Sequence, residues 1–110
     1  MQLSKKVLID VSEDASNSTG VQTDGLLLSG IVFPATMTGA NVTFDFSFDG
    51  TTWVDVVETN NTEVTYNVSA GNVVRVDPSG WAFASSGFLR VTSGSAEAAD
   101  RDIKLIFRTA

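Results

Sequence analysis

Hydrophobic and polar residues alternate most regularly between residues 41 and 57, where the sequence reads NVTFDFSFDGTTWVDVV. Phe44, Phe46 and Phe48 alternate with polar residues, so an extended strand places three aromatic rings on one face. An Asp-Gly pair follows directly and favours a tight turn, because glycine tolerates positive φ. The apolar run then resumes at Trp53. The segment therefore predicts a β-hairpin whose aromatic face is the centre of the core.

Short segments that alternate or, in one case, are almost continuously apolar recur along the rest of the chain. They cover residues 3–11, 25–33, 64–68, 73–76, 88–92 and 103–107. Polar segments with glycine, asparagine, aspartate or proline separate them at the spacing of sandwiches and barrels, and no segment has the period of an amphipathic helix. The pattern predicts an all-β fold, an antiparallel β-sandwich of about eight short strands with jelly-roll connectivity.

The pattern also bears on domain organisation. The chain has 110 residues, the length of a single domain, in which residues 1–24 predict a strand with a polar loop and residues 25–110 the sandwich. Residues 25–33 are apolar at almost every position, which predicts a strand that is covered on both faces. Because a small sandwich has one internal layer, we expect the second face to meet a neighbouring subunit.

The composition narrows the functional classes. The chain has neither cysteine nor histidine, which excludes disulfides, thiol nucleophiles, thiolate zinc sites and the commonest general base. We therefore expect neither an enzyme nor a cofactor. The 13 acidic and 7 basic residues give a net charge of −6, and the basic residues are scattered in sequence, so we expect no nucleic-acid partner. We also expect no membrane partner, since no apolar stretch has the length of a membrane span, and no export signal.

Three aspartates near the hairpin are the candidates for acid-base or metal chemistry. Asp45 and Asp49 have a spacing that places both on the polar face of one strand, and the hairpin brings Asp55 across from them. Such oxygen ligands suit calcium. The alternative is an ordinary solvated face, which we favour because the dense run of Asp and Asn found in calcium loops is absent. We assign no catalytic, cofactor-binding or metal-binding residue.

Residues 47–53 resemble the Asp-box of sialidase-like propellers, although one residue is missing between the aspartate and the glycine and the motif occurs once. A discoidin-like hairpin is a second interpretation, and both imply a structural turn. Trp53 is predicted to lie in the core. Trp81, close in sequence to Phe83, is predicted either to close one end of the sandwich or to insert into a pocket of a partner.

Taken in order, the segments after residue 30 resemble small structural proteins of tailed phages and prophages. The resembling residues are 31–35, 38–39, 46–53, 73–78, 80–81, 88–94 and 103–107. The resemblance implies a non-enzymatic virion protein, specifically a capsid decoration (cement) protein on the outer capsid surface, assembled in the host cytoplasm. Such proteins are often homotrimers that bridge subunits of the major capsid protein.

Within this interpretation we predict four partner-contact residues. Lys5 and Lys6 are predicted to contact the capsid, and their alternative role is to block edge-to-edge pairing of sheets. Trp81 and Phe83 are predicted to anchor the oligomer or the capsid contact. The alternative function is a receptor-binding or carbohydrate-binding module of a tail or fibre, with Trp81 stacking on a sugar ring. An enzyme that uses the aspartates ranks third.

Overall fold

The computed structural model describes residues 2–110, which form two antiparallel sheets packed as a sandwich. The strands are β1 (Gln2–Ile9), β2 (Val21–Gln22), β3 (Leu27–Val32), β4 (Asn41–Ser47), β5 (Val54–Asp55), β6 (Thr65–Asn67), β7 (Val73–Arg75), β8 (Phe88–Ser93) and β9 (Arg101–Arg108). Sheet A has the order β1-β9-β3-β7, and sheet B the order β2-β8-β4-β5, with β6 also paired to β4. The predicted all-β sandwich is confirmed.

The strands β5 and β6 act as one interrupted strand at the edge of sheet B. Both pair antiparallel with β4. Strand β6 pairs with the first three residues of β4, and β5 pairs with Asp45 and Phe46 of β4. Between them the chain leaves the edge as a hairpin in which Val57 pairs with Glu63. Counted this way, eight strands have the order 1-8-3-6 in one sheet and 2-7-4-5 in the other. This is the strand order of a jelly roll.

The core lies between the two sheets and is built from alternate positions of the long strands. Strand β9 contributes Ile103, Leu105 and Phe107, all 0% exposed, while the residues between them face outward or are partly covered. Strand β4 contributes Phe44, whose ring packs edge-on against the ring of Trp81 at 4.9 Å. Each large apolar side chain removed from water in this way stabilises the fold by about 1.5–3 kcal/mol.

The third ring of the alternating Phe segment does not join the core, so that part of the hairpin prediction is wrong. Strand β4 ends at Ser47, and Phe48 is 85% exposed, although its ring still contacts that of Phe46 at 4.9 Å. The strand ends here because Ser47 Oγ accepts a hydrogen bond from the backbone N–H of Gly50 at 2.8 Å and pulls the chain into a turn. An aromatic ring is thereby placed on the surface.

A bulge in β3 explains why residues 25–33 are apolar on both faces. The pairing of β3 with β9 shifts between Leu28 and Gly30, so the inward-facing positions change parity at Ser29. Leu28 and Ile31 are consequently both buried in the core, whereas Val32 is only partly covered. The apolar positions of this segment therefore lie mainly in the core of one chain, and they do not require a neighbouring subunit.

The N-terminal strand is an integral part of sheet A. All eight residues of β1 pair with β9, and Val7 and Ile9 are 0% exposed. The polar loop that follows is also attached, since Ser18 N–H donates to the carbonyl of Val91 at 2.8 Å. Residues 2–24 thus form part of the sandwich.

The residues between β7 and β8 form a 3-10 helix, Pro78–Ala84, capped by the side chain of Asp77. It packs Trp81 and Ala84 into the core. Within residues 2–110, no helix has the length and apolar character required to cross a membrane.

Glu97 joins the loop before β9 to the rest of the fold. Its carboxylate accepts hydrogen bonds from the N–H groups of Thr38 and Gly39, both at 2.8 Å, and from Ser93 Oγ at 2.7 Å. The residue is 5% exposed. Nothing in the local sequence pattern shows that the backbone of residues 38–39 comes close to this glutamate.

Candidate functional site

The outer surface of sheet A carries four basic side chains, which we call the cationic face. These are Lys6 on β1, Arg75 on β7, and Lys104 and Arg108 on β9. Their outward direction follows from strand alternation, because the neighbouring odd-numbered residues of β9 are buried in the core. Sequence reasoning named only Lys6, since the four residues belong to three segments that are distant in the chain and that only strand pairing brings together.

The register of sheet A places two of these charges side by side. Lys6 lies directly opposite Lys104 on the adjacent strand, and Lys104 lies opposite Val32. Two residues further along the strands, on the same outward face, Ile106 lies opposite Gly30 and Gly30 lies opposite Arg75. Because neighbouring strands lie about 4.8 Å apart, the two lysines repel each other, and like charges in this position destabilise a sheet.

Little negative charge offsets the cationic face. The four strands of sheet A hold six of the seven basic residues of the chain and one acidic residue, Asp102. Lys6 Nζ lies 4.0 Å from Asp102 Oδ2, a weak exposed pair, and Lys104 and Arg75 form no ion pair within residues 2–110. A protein of net charge −6 thus presents one sheet face of the opposite sign.

A second surface, which we call the apolar groove, lies at the open edge of sheet B. It has a volume of about 450 Å³ and is lined by Phe46, Phe48, residues 54–57 and Phe83. Four of its side chains are large, apolar and exposed: Phe48, Val54 at 55%, Val57 at 43% and Phe83 at 54%. Exposed apolar surface concentrated in this way is typical of an interaction site.

Strand pairing explains why the groove is open. Val54 lies opposite Phe46 in the register of β4 and β5, so both side chains are on the inner side of sheet B. None of the lining residues comes from sheet A. At this end of the sandwich the inner side of sheet B is therefore uncovered, and Phe83 of the 3-10 helix closes it only partly.

The charged residues that line the groove and its neighbouring hollow are all acidic. A neighbouring hollow of about 360 Å³ shares Val56, Val57 and Phe83 with the groove, and it is also lined by Glu58 and Asp77. Asp55 also lines the groove, but its carboxylate lies beside that of Asp45 on the outer side of sheet B, and no lysine or arginine lines either hollow. The groove is apolar with an acidic rim.

The two predicted lysine contacts differ in their surroundings. Lys6 is exposed and belongs to the cationic face, with 59% of its side chain accessible. Lys5 points the other way, donates to the carbonyl of Gln22 and to the carboxylate of Asp24, and lies 5.8 Å from the centroid of Phe107. Its ammonium group holds β1 to β2 and to the residues directly after β2. A partner contact through Lys6 stays a prediction.

The two predicted aromatic contacts also differ. Trp81 is 3% exposed, and its indole N–H donates to the hydroxyl of Tyr66 at 3.0 Å. It lies in the core, which agrees with the interpretation that Trp81 closes one end of the sandwich. Its ring therefore offers no face for stacking on a sugar. Phe83 stacks on Trp81 at 5.6 Å and forms one wall of the groove. A partner contact through Phe83 stays a prediction.

The aspartates form no common site. Asp45 and Asp55 lie opposite each other across β4 and β5, as expected, but Asp49 lies beyond the end of β4, so placing it on the same strand face was wrong. Burial raises the pKa of Asp45, Arg90 lowers it in part, and the adjacent Asp55 raises it again. Arg90 Nε is 2.9 Å from Asp45 Oδ2. Residues 2–110 contain no group of three side chains suited to hold a metal ion.

The segment that resembles an Asp-box is a structural turn in this fold. Asp49 Oδ1 accepts hydrogen bonds from the backbone N–H groups of Thr52 at 2.9 Å and Thr51 at 2.8 Å. These bonds hold the pKa of Asp49 well below its usual value. Trp53, after the turn, is only partly buried, with the Arg90 guanidinium 4.6 Å from its ring centroid, so the prediction that it lies in the core is wrong.

Comparison with known proteins adds no family. No family model matches the chain, and no curated protein matches its sequence. Among solved structures, the SPBc2 prophage-derived protein YomS is similar with a TM-score of 0.45 and 10% identity, over 96% of this chain and 94% of that protein. Similarity at this level supports no inference about function.

Proposed function

We propose that this chain is a non-enzymatic structural protein of a phage virion, and specifically a capsid decoration protein that bridges subunits of the major capsid protein. The proposal begins from the ordered sequence segments that resemble tailed-phage structural proteins. The observation that carries it further is the cationic face. Four basic side chains on one sheet of an acidic protein suit a partner surface that presents carboxylates.

The energetics of the cationic face favour a binding role over a structural one. Lys6 and Lys104 repel each other in the isolated chain, so the fold gains nothing from their pairing. A carboxylate from a partner placed between them would relieve the repulsion and form two charge-assisted contacts. The partly covered apolar residues of the same sheet face, including Val32 and Ile106, would be buried in such a contact.

Bridging also requires more than one contact per assembly. The proposed assembly is a homotrimer, in which three cationic faces bind the capsid simultaneously. Multivalent binding raises the overall affinity well above that of one face, even when each single contact is weak. Native mass spectrometry of the purified protein tests the trimer.

The copy number of the protein in purified particles tests the placement. Quantitative mass spectrometry against the major capsid protein should give a count in the hundreds and in simple ratio to that protein. A few tens of copies or fewer would place the protein on the tail or a vertex, contrary to the proposal. Absence from particles would rule out any virion role.

A charge-matched pair of variants tests the contact itself. Lys104→Gln removes one charge from the cationic face, while Ser86→Glu makes the same change of net charge on an exposed loop residue elsewhere. We expect the first variant to bind undecorated capsids more weakly and the second to bind normally. Equal binding by both variants would show that the cationic face does not contact the capsid.

A carbohydrate-binding module of a tail remains the second candidate function, but its predicted platform has changed. Trp81 is buried, so the tryptophan ring that is partly accessible for stacking is that of Trp53, which lies beside Arg90 on the outer side of sheet B. One side of that ring is already covered by the guanidinium group. A glycan array separates the two candidates, since a decoration protein should show no sugar-dependent signal.

A further inference from the structure

We propose that the apolar groove binds a short extended segment of a partner protein, with alternate apolar residues and with lysine or arginine at its ends. The segment would add as a strand to the open edge of β5. This inference concerns a different surface from the cationic face, and it stands whether or not the partner belongs to a virion.

The size of the exposed apolar surface favours a short segment over a whole protein face. Phe48, Val54, Val57 and Phe83 together expose on the order of 400 Å², given that a large aromatic side chain buries about 150–250 Å². A stable interface between two folded proteins needs about 800 Å² from each partner. The groove alone supplies about half of that area, which suits a peptide-like arm or loop.

The open strand edge favours an extended conformation. β5 is the last strand of sheet B and pairs on one side with β4, so its other side has no strand partner within residues 2–110. An added strand gains main-chain hydrogen bonds at this edge. Because strand side chains alternate, every second residue of the segment would point towards Phe46, Val54 and Phe83.

The acidic rim decides the charge of the segment. Glu58 and Asp77 line the hollow that adjoins the groove, and neither forms an ion pair within residues 2–110. A segment with acidic ends would place like charges against them, whereas lysine or arginine would form complementary pairs. The basic residues of this chain lie mainly on sheet A and leave the rim unneutralised.

The test uses the full chain and two fluorescein-labelled peptides, each of alternating leucine and threonine, one with lysines and the other with glutamates at both ends. Fluorescence anisotropy should show binding of the lysine peptide and at least tenfold weaker binding of the glutamate peptide. The difference should shrink when ionic strength rises from about 50 mM to about 1 M, where the Debye length falls to roughly 3 Å. Equal binding of both peptides, or no binding, would overturn the proposal.

Matched variants locate the contact. Val54→Thr keeps the shape of a groove residue that is 55% exposed, and Val73→Thr makes the same change at a β7 residue that is 58% exposed. We expect the first to weaken binding about three- to fourfold, the effect of one lost buried methyl group, and the second to have no effect. Similar losses in both variants would refute binding in the groove.

A charge variant and an oligomer measurement complete the test. Glu58→Lys should weaken binding of the lysine peptide, whereas Glu13→Lys, an exposed glutamate away from the groove, should not. Sedimentation of the chain without peptide examines whether a second copy fills the groove. Self-association that Val54→Thr abolishes and Val73→Thr preserves would show that the occupant is another copy, and would overturn the proposal.

Discussion

Arg101 Nε lies 2.8 Å from Glu97 Oε1. Arg101 is the first residue of β9, whereas Glu97 lies in the loop before this strand, and the Glu97 side chain is 0% exposed. Burial of the carboxylate raises its pKa, but hydrogen bonds from Arg101, Ser93, Thr38 and Gly39 outweigh this effect and lower the pKa to about 2. The charged form of Glu97 is therefore part of the folded state, and it ties the loop before β9 to the loop before β4.

This relationship predicts a loss of stability in acid. The ordinary pKa of a glutamate is 4.5, so Glu97 stabilises the fold fully above about pH 5, and this contribution disappears as the pH falls through 2. At neutral pH it is on the order of 3 kcal/mol. Glu97→Gln should lower the free energy of unfolding by a similar amount and flatten its pH dependence between pH 5 and 2. Urea titrations across this range measure both, and Glu13→Gln is the exposed control.

The cationic face predicts that removing one of its charges raises the stability of the fold and weakens binding to the capsid. Lys104→Glu replaces a repulsive pair with an attractive one opposite Lys6, so the free energy of unfolding should rise by about 0.2–1 kcal/mol. Capsid binding by the same variant should fall. Chemical denaturation and a capsid co-sedimentation assay measure the two effects. A variant that loses stability would show that Lys104 has a structural partner, contrary to the argument from register.

The buried position of Trp81 predicts a structural phenotype. Trp81→Ala should reduce the free energy of unfolding by about 3–5 kcal/mol, since a large ring is removed from the core. Tyr66→Phe leaves the buried indole N–H without its hydroxyl partner and should cost about 1–3 kcal/mol. Thermal unfolding followed by circular dichroism measures both. Wild-type stability in Trp81→Ala would place the ring outside the core.

Two glycines provide a matched test of backbone requirements. Gly87 has φ of +152°, and a Cβ atom there would lie 2.7 Å from the carbonyl oxygen of Ser47 and from the ring of Phe46. Gly80 has no atom within 4 Å of its Cβ position. Gly87→Ala should therefore destabilise the fold markedly, while Gly80→Ala should be neutral or slightly stabilising. Equal melting temperatures for the two variants would contradict this account.

The alternation of apolar and polar residues determined much of this fold from the sequence alone. Strands recur where period-two alternation is strongest, as in β4, β8 and β9, because burial of one face fixes which residues point inward. Turn chemistry placed the reversal after β4, and the missing cysteine and histidine restricted the functional classes. Of the four residues predicted to contact a partner, Lys6 and Phe83 lie on the surface of the structure.

The tertiary structure alone decided what meets in space. The bulge at Ser29 changes the parity of β3, and the early turn at Ser47 carries Phe48 out of the core, so local alternation misled at both points. The pairing of β1 with β9 brings Lys6 opposite Lys104, which lies 98 positions later in the chain. Glu97 receives its donors from residues 58 and 59 positions away. These contacts depend on strand register and loop approach, because hydrogen bonding and packing between distant segments leave no periodic signal in a single sequence.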